Sequence, residues 1–287
     1  MKNRVLQSAF VKICLTFTVV IFSATSFADS KESAVLKDGE IWNKQIGSTT
    51  LTQLTEDGKQ KNLIGTSPNG RLIAYYANVA GQDNSSPTVL VILRGEGKKL
   101  IEFTTSDSDG NVCVSVLSTE WIDNQRIGTV CHINPSLSSY MVIDATTGKT
   151  SHCYLGYSFF WSPDRQTLAH VGQMTHFAPW PHSEYIQFNE TTVYPPGGAV
   201  YGKNDRTVHT FMPSFVWSPD GQSLAVIDIL SGKGSGAQLV LLGRDGRKVF
   251  KKLPVPGEAA GRDAIVKWES ARRVNVRGKN FSLFAEI

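Results

Sequence analysis

One short pattern recurs along this chain and limits its possible folds more than any other feature. Trp161-Ser162-Pro163-Asp164 runs through Arg165 and Gln166 to Thr167-Leu168-Ala169. Trp217-Ser218-Pro219-Asp220-Gly221 runs likewise to Ser223-Leu224-Ala225. Thr66-Ser67-Pro68-Asn69-Gly70 leads to Leu72-Ile73-Ala74 and lacks only the Trp, and looser copies begin at Trp121 and Trp268. Self-similarity at intervals of tens of residues marks an array of stacked supersecondary units. Within each copy, Pro presets φ at the second turn position, Asp or Asn bonds locally, and Gly permits positive φ. Each copy therefore reads as strand, tight turn, strand.

The spacing sharpens this. The copies start 55, 40, 56 and 51 residues apart from Thr66 to Trp268. Between them lie short β-prone runs, 88–94, 140–145, 238–243 and 281–287. Three of these lead to the turns Glu96-Gly97, Thr147-Gly148 and Asp245-Gly246. Four strands per unit of this length make a propeller blade. After Trp268, 19 residues remain, and 38 run from Asp29 through Thr66, together about one more unit. The expected fold is thus an all-β propeller of five blades with both termini in the closing blade, or six if a long spacing hides an irregular one. The strands after the turns, starting near Leu72, Ile127, Leu168, Leu224 and Val274, are expected to be the inner ones.

The Trp-Ser-Pro-Asp-Gly-x-x-Leu-Ala pattern resembles the propeller repeat of the Tol-system protein TolB. Prolyl-oligopeptidase-type enzymes carry a related repeat. The resemblance covers roughly residues 50–287 and implies architecture rather than activity. TolB's separate N-terminal α/β domain has no counterpart here, which weakens any transfer of its partners.

The first 28 residues read as a signal peptide: Lys2 and Arg4, an apolar stretch from Ile13 to Phe22, then Ser26-Phe27-Ala28 before the cut. That stretch is shorter than the roughly 20 residues a spanning helix needs. Residues 29–48 are taken as a lead-in segment and 49–287 as the propeller domain. Without Lys2, Arg4 and Lys12, the 29 basic groups become 26 against 25 acidic, a net charge near +1. No basic excess supports a nucleic-acid partner. The protein is expected to be periplasmic or secreted, a monomer without a membrane span after cleavage. Of Cys113, Cys131 and Cys153, an oxidising compartment permits one disulfide, with the pairing open; all three could equally be small buried apolar groups.

Chemistry is weakly signalled. Ser235, between Gly234 and Gly236, lacks the elbow of a serine hydrolase. Glycoside cleavage needs two facing carboxylates, and Asp228 is the sole acid on the expected inner strands; Glu120 and Asp123 flank a turn. His170, His176, His182 and Glu184 do not have ligand spacing. No catalytic residue, metal or cofactor is expected. The most distinctive stretch, 174–206, is rich in Trp, Tyr and Pro. Trp180, His182, Tyr185 and Tyr194 are its candidate contact residues for an envelope protein, peptide or glycan. Alternatively, these aromatics pack back on the blade. Trp121, Trp161, Asp164, Trp217, Asp220, Gly221 and Trp268 are read as structural repeat residues. The expected function is an exported binding or scaffold module of the cell envelope, with a carbohydrate-active enzyme as the alternative.

Overall fold

The protein is a β-propeller. The computed structural model describes residues 32–45, 49–77, 89–104, 113, 115–134, 137–172, 184–195, 207–231, 235–246, 249–256 and 264–287. Their secondary structure is entirely antiparallel strand and turn. The first sheet holds β1 (Glu32–Lys37), β2 (Glu40–Gln45) and β3 (Leu51–Gln53). The second holds β4 (Lys61–Thr66), β5 (Leu72–Ala77), β6 (Val89–Arg94) and β7 (Lys99–Thr104). A seven-stranded sheet follows in sequence order: β8 (Ser115–Trp121), β9 (Arg126–Asn134), β10 (Leu137–Asp144), β11 (Thr150–Trp161), β12 (Leu168–Gly172), β13 (Tyr185–Phe188) and β14 (Thr191–Tyr194).

Next, β15 (Val208–Phe211) and β16 (Val216–Trp217) both pair with β17 (Ser223–Ser231), which continues to β18 (Gly236–Gly243) and β19 (Val249–Val255). The last sheet is β20 (Ile265–Ser270), β21 (Arg273–Arg277) and β22 (Ser282–Glu286).

The seven-stranded sheet is two blades joined by one long strand. The first half of β11 pairs with β10, from Thr150 to Gly156. Its second half pairs with β12, from Gly156 to Trp161. The change of direction uses Gly156 at φ +145° and Ser158 at φ +57°. Counted so, the described strands form six packed units. Among the described residues head and tail do not share a sheet, which corrects the expectation of one closing blade stitched from both: β1–β3 and β20–β22 are separate three-stranded sheets. Strands β1 and β2 fall within the stretch 29–48 that was expected to be a lead-in segment. Its turn, Lys37-Asp38-Gly39-Glu40, has Asp38 at φ +53° and Gly39 at φ +79°, as a two-residue Asp-Gly hairpin requires.

Five apolar seams join successive units. Strand β5 shows why its sequence is apolar throughout. Ile73, Tyr75 and Ala77 face Ile41 of the first sheet, while Ala74 and Tyr76 face Ile127, Cys131 and Met141 of the third unit. Strand β17 repeats this: Leu224 and Val226 pack against Ile186 and Tyr194, and Ala225 and Ile227 against Val266 and Val276. A strand buried on both faces reads as a continuous run. These strands are second in their sheets. The expectation that they are innermost is also corrected, because it is the first strands that lie beside one another, β1 by β4, β4 by β8 and β16 by β20.

First strands leave one edge without a sheet partner, and such an edge exposes backbone carbonyls. The repeat Trp residues close it. Trp121 Nε1 donates to Gly65 O at 3.1 Å, Trp217 Nε1 to Phe160 O at 3.0 Å, and Trp268 Nε1 to Val216 O at 2.8 Å. In each case the acceptor precedes the matching repeat position of the previous unit. Trp161 departs from the rule and donates to Tyr140 Oη at 2.7 Å, which donates on to Glu120 Oε1 at 3.0 Å. Arg165, at φ +57°, completes that joint by donating to Glu120 Oε2 at 2.7 Å.

The turns after the Trp positions share one bonding scheme. Ser162 Oγ donates to Asp164 Oδ1 and accepts from Thr167 N, and Ser218, Asp220 and Ser223 do the same. Ser67, Asn69 and Leu72 repeat it without the Trp. Gly221, at φ +68°, is the positive-φ position of its turn.

The first two sheets are clamped by Lys61, whose side chain is fully buried. Its ammonium donates to Glu40 Oε2 at 2.8 Å, to Asp57, and to the carbonyls of Gly39 and Lys59. Burial opposes charge on Glu40, but hydrogen bonds from Lys61, Thr55 and the Gly58 N–H outweigh it and hold the pKa at about 2, against 4.5 ordinarily. A carboxyl whose pKa is lowered by folding contributes stability above its unfolded value and loses it as pH falls through the folded one. The clamp should therefore weaken between pH 4.5 and about 2. Amide exchange at Ile41 and Ile73, corrected for intrinsic rates, should accelerate across that window; flat protection would contradict the assignment.

Cys113 and Cys131 form a disulfide across 18 residues, tying the approach to β8 onto β9, and Cys153 packs against the same core. Closing a loop of this size is worth about 3 kcal/mol. The double Ser variant, or the reduced protein, should lose that much in urea unfolding, with Cys153→Ser near neutral as control.

Candidate functional site

The seam between the fourth and fifth units carries a buried polar cluster. Asp228, on β17, is fully buried. Its Oδ2 accepts three hydrogen bonds: from Tyr194 Oη at 2.8 Å, His209 Nδ1 at 2.8 Å and Gln238 Nε2 at 2.9 Å. Gln238 also donates to Tyr194 Oη at 3.1 Å. Burial and the neighbouring carboxylate hold the Tyr194 phenol far above its ordinary pKa, so it stays a donor. The rings of His209 and Phe211 meet Tyr194 edge-on, and the Lys252 ammonium lies 5.0 Å from the centre of the Tyr194 ring.

The strand pattern explains the convergence. Phe211 is opposite Asp228, and Asp228 is opposite Gln238. Side chains two apart share a face, so His209, Phe211, Asp228 and Gln238 all point at β14 of the previous unit.

A second carboxylate stands beside this cluster. Glu184 Oε2 accepts from Phe211 N at 2.8 Å, and Glu184 N donates to His209 O at 2.9 Å. Burial, with the Glu184 charge and its hydrogen bond, raises the Tyr157 pKa strongly. Both carboxylates thus receive bonds from the protein's own donors.

These residues stand at the feet of the aromatic segment. Glu184 follows 173–183, while Tyr194 and His209 flank 196–206 on its two sides. One carboxylate oxygen of Asp228 therefore ties together both ends of the second stretch, and Glu184 ties the first stretch to it. Among the candidate contact residues, Trp180 and His182 lie outside the described residues. Tyr185 is half-buried at the start of β13, its ring against Gly172 where a Cβ would overlap it. Tyr194 is corrected: it has no exposed surface and belongs to the node rather than to a docking face.

His170, tested as a ligand on sequence grounds, is buried and donates from Nε2 to the Asn189 carbonyl at 2.9 Å. Burial lowers its pKa, so it stays neutral. His176 lies outside the described residues. Among the described residues no three His, Cys, Asp or Glu side chains are grouped to hold a metal ion, and no helix is long and apolar enough to cross a membrane.

No family model and no curated protein matches the sequence. Solved structures do. A eukaryotic initiation factor aligns at 11% identity and TM-score 0.53, over 89% of this chain and 60% of its own. The chain therefore spans less than two thirds of that protein. The propeller domain of the Trilobed protease from Pyrococcus furiosus aligns at 12% identity and TM-score 0.42, over 88% and 78% of the two chains. A putative TolB from Agrobacterium tumefaciens aligns at 12% and TM-score 0.34, over 78% of each. Such likeness concerns fold, and function has to be argued from the site.

Proposed function

We propose that this protein is an exported binding propeller of the bacterial cell envelope. In this reading, the segments 173–183 and 196–206 hold a protein, peptide or glycan partner. The observation that carries it is the shared foot: Tyr194 and His209 both donate to Asp228, and Glu184 is bonded to the backbone of His209 and Phe211 beside them. Contact segments anchored on a rigid scaffold lose less conformational freedom on binding. The sequences they carry, Phe177-Ala178-Pro179-Trp180 and Tyr185 after the first and Tyr201 in the second, supply large contact area on few rotatable bonds. Export is supported by the leader pattern and by the Cys113–Cys131 disulfide, a bond favoured outside the cytosol.

Glycoside cleavage is the less favoured reading because Asp228 and Glu184 are engaged by internal donors rather than turned to a substrate. The test is capture of the partner by crosslinking in the native envelope. Trp180→Ala should leave melting unchanged and reduce recovery of the crosslinked species about tenfold, the loss expected for an aromatic hot spot. Undiminished recovery would remove this segment as the contact.

A further inference from the structure

The six units form a stack with five apolar seams and two end faces. The outward face of the first sheet follows from its alternation. Ile41, Ala34 and Asn43 turn toward the second sheet, so Val35, Lys37, Trp42 and Lys44 turn away. The Lys37 ammonium sits 5.4 Å from the centre of the Trp42 ring. Of the two acids of this hairpin turn, Glu40 is drawn to Lys61 and Asp38 stays exposed beside Lys37. In the last sheet, Val266, Trp268, Val274, Val276 and Ala285 face the fifth unit. Ile265, Lys267, Glu269, Arg273, Arg277, Phe284 and Glu286 therefore face outward. Ile265 is 66% exposed and Phe284 43%. Arg273 pairs with Glu269 at 3.4 Å and stacks on Phe284 at 4.5 Å.

The last face thus carries exposed apolar groups and the first carries half-buried Val35 and Trp42, with five cations across the two faces against Asp38, Glu269 and Glu286. The chain after its leader is close to neutral, so this charge is concentrated rather than general. Like charges oppose direct packing of one end face on the other, within a chain or between two copies. Complementarity calls for an acidic surface. Ile265 and Phe284 on the last face, and Trp42 on the first, add apolar contact that a protein surface can match. The two glutamates disfavour a dense phosphate polyanion.

We propose that the end faces of the stack bind an acidic protein segment. This surface belongs to the first and last sheets rather than to the units that flank 173–183 and 196–206, and its test is independent of those segments. The probe is a fluorescent peptide of alternating Asp and Val, with a Lys-Val peptide, single-stranded DNA and phosphatidylglycerol vesicles as comparators, read by anisotropy or co-sedimentation at low and physiological salt. The acidic peptide should bind, more weakly as salt rises. The exposed charge reversals Lys44→Glu and Lys267→Glu/Arg277→Glu should each weaken it about tenfold or more through charge complementarity, with melting unchanged. Trp180→Ala should bind the peptide normally, so failure here and failure of the aromatic-segment reading are distinguishable. Absence of binding, equal affinity for the Lys-Val peptide, indifference to the reversals, or preference for DNA or vesicles would each overturn the proposal.

Discussion

Asp228→Ala should lower the unfolding free energy by about 3–5 kcal/mol, the usual cost of removing one partner from a buried charged network. In a chain of this size that is a fall of roughly 10 °C in melting temperature. Three donors lose their acceptor together: the Tyr194 hydroxyl, His209 Nδ1 and Gln238 Nε2. A buried donor left unpaired carries its full desolvation cost. Asp228→Asn preserves shape and one acceptor, and should recover part of the loss. If the two variants melt alike and close to the parent, the carboxylate is not the keystone of this seam. Partner capture should fall in the Ala variant even well below its melting temperature, because the ends of 196–206 are released from each other.

Gly156→Ala is the second large effect, about 2–6 kcal/mol from backbone strain and overpacking combined. At φ +145° a side chain is disfavoured, and a methyl group would overlap the Val171 carbonyl oxygen in β12. Neither strand can yield easily, since Gly156 is paired with Ser138 on one side and Gly172 on the other. Gly65→Ala supplies the control. Its φ is +121° but a Cβ there meets nothing within 4 Å, so only the backbone strain of about 1–3 kcal/mol should appear. Chemical unfolding of both variants separates the two contributions. Equal losses would mean that the crowding at Gly156 relaxes without cost.

Much of the architecture is written in turn chemistry. Ser162, Asp164, Ser218 and Asp220 form a local circuit within a few residues, so their spacing alone announces the turn. Lys37-Asp38-Gly39-Glu40 went unrecognised as a sixth copy because it lacks Trp, Ser and Pro, although its Asp-Gly pair flanked by strand residues is a hairpin signal. The sharing of β11 was hidden for another reason. Nothing in Thr150–Trp161 marks a boundary except Gly156, and a glycine in a strand has several uses.

The Asp228 node was least legible. Tyr194, His209, Asp228 and Gln238 come from four strands, and each looks ordinary beside its own neighbours. Tyr194 borders Pro195 and Pro196, where sequence suggests a loop, yet its side chain is fully buried. Its hydroxyl partner lies 34 residues away, a distance no local pattern spans.

The indole clasps all point the same way along the chain. Three units leave a carbonyl that the Trp of their successor satisfies: Gly65 meets Trp121, Phe160 meets Trp217 and Val216 meets Trp268. A polypeptide emerging head first would therefore hold three provisional ends, each capped when the next unit arrives. Loss of tail residues would uncap the sheet before them, whereas later sheets ask nothing of this kind from the head.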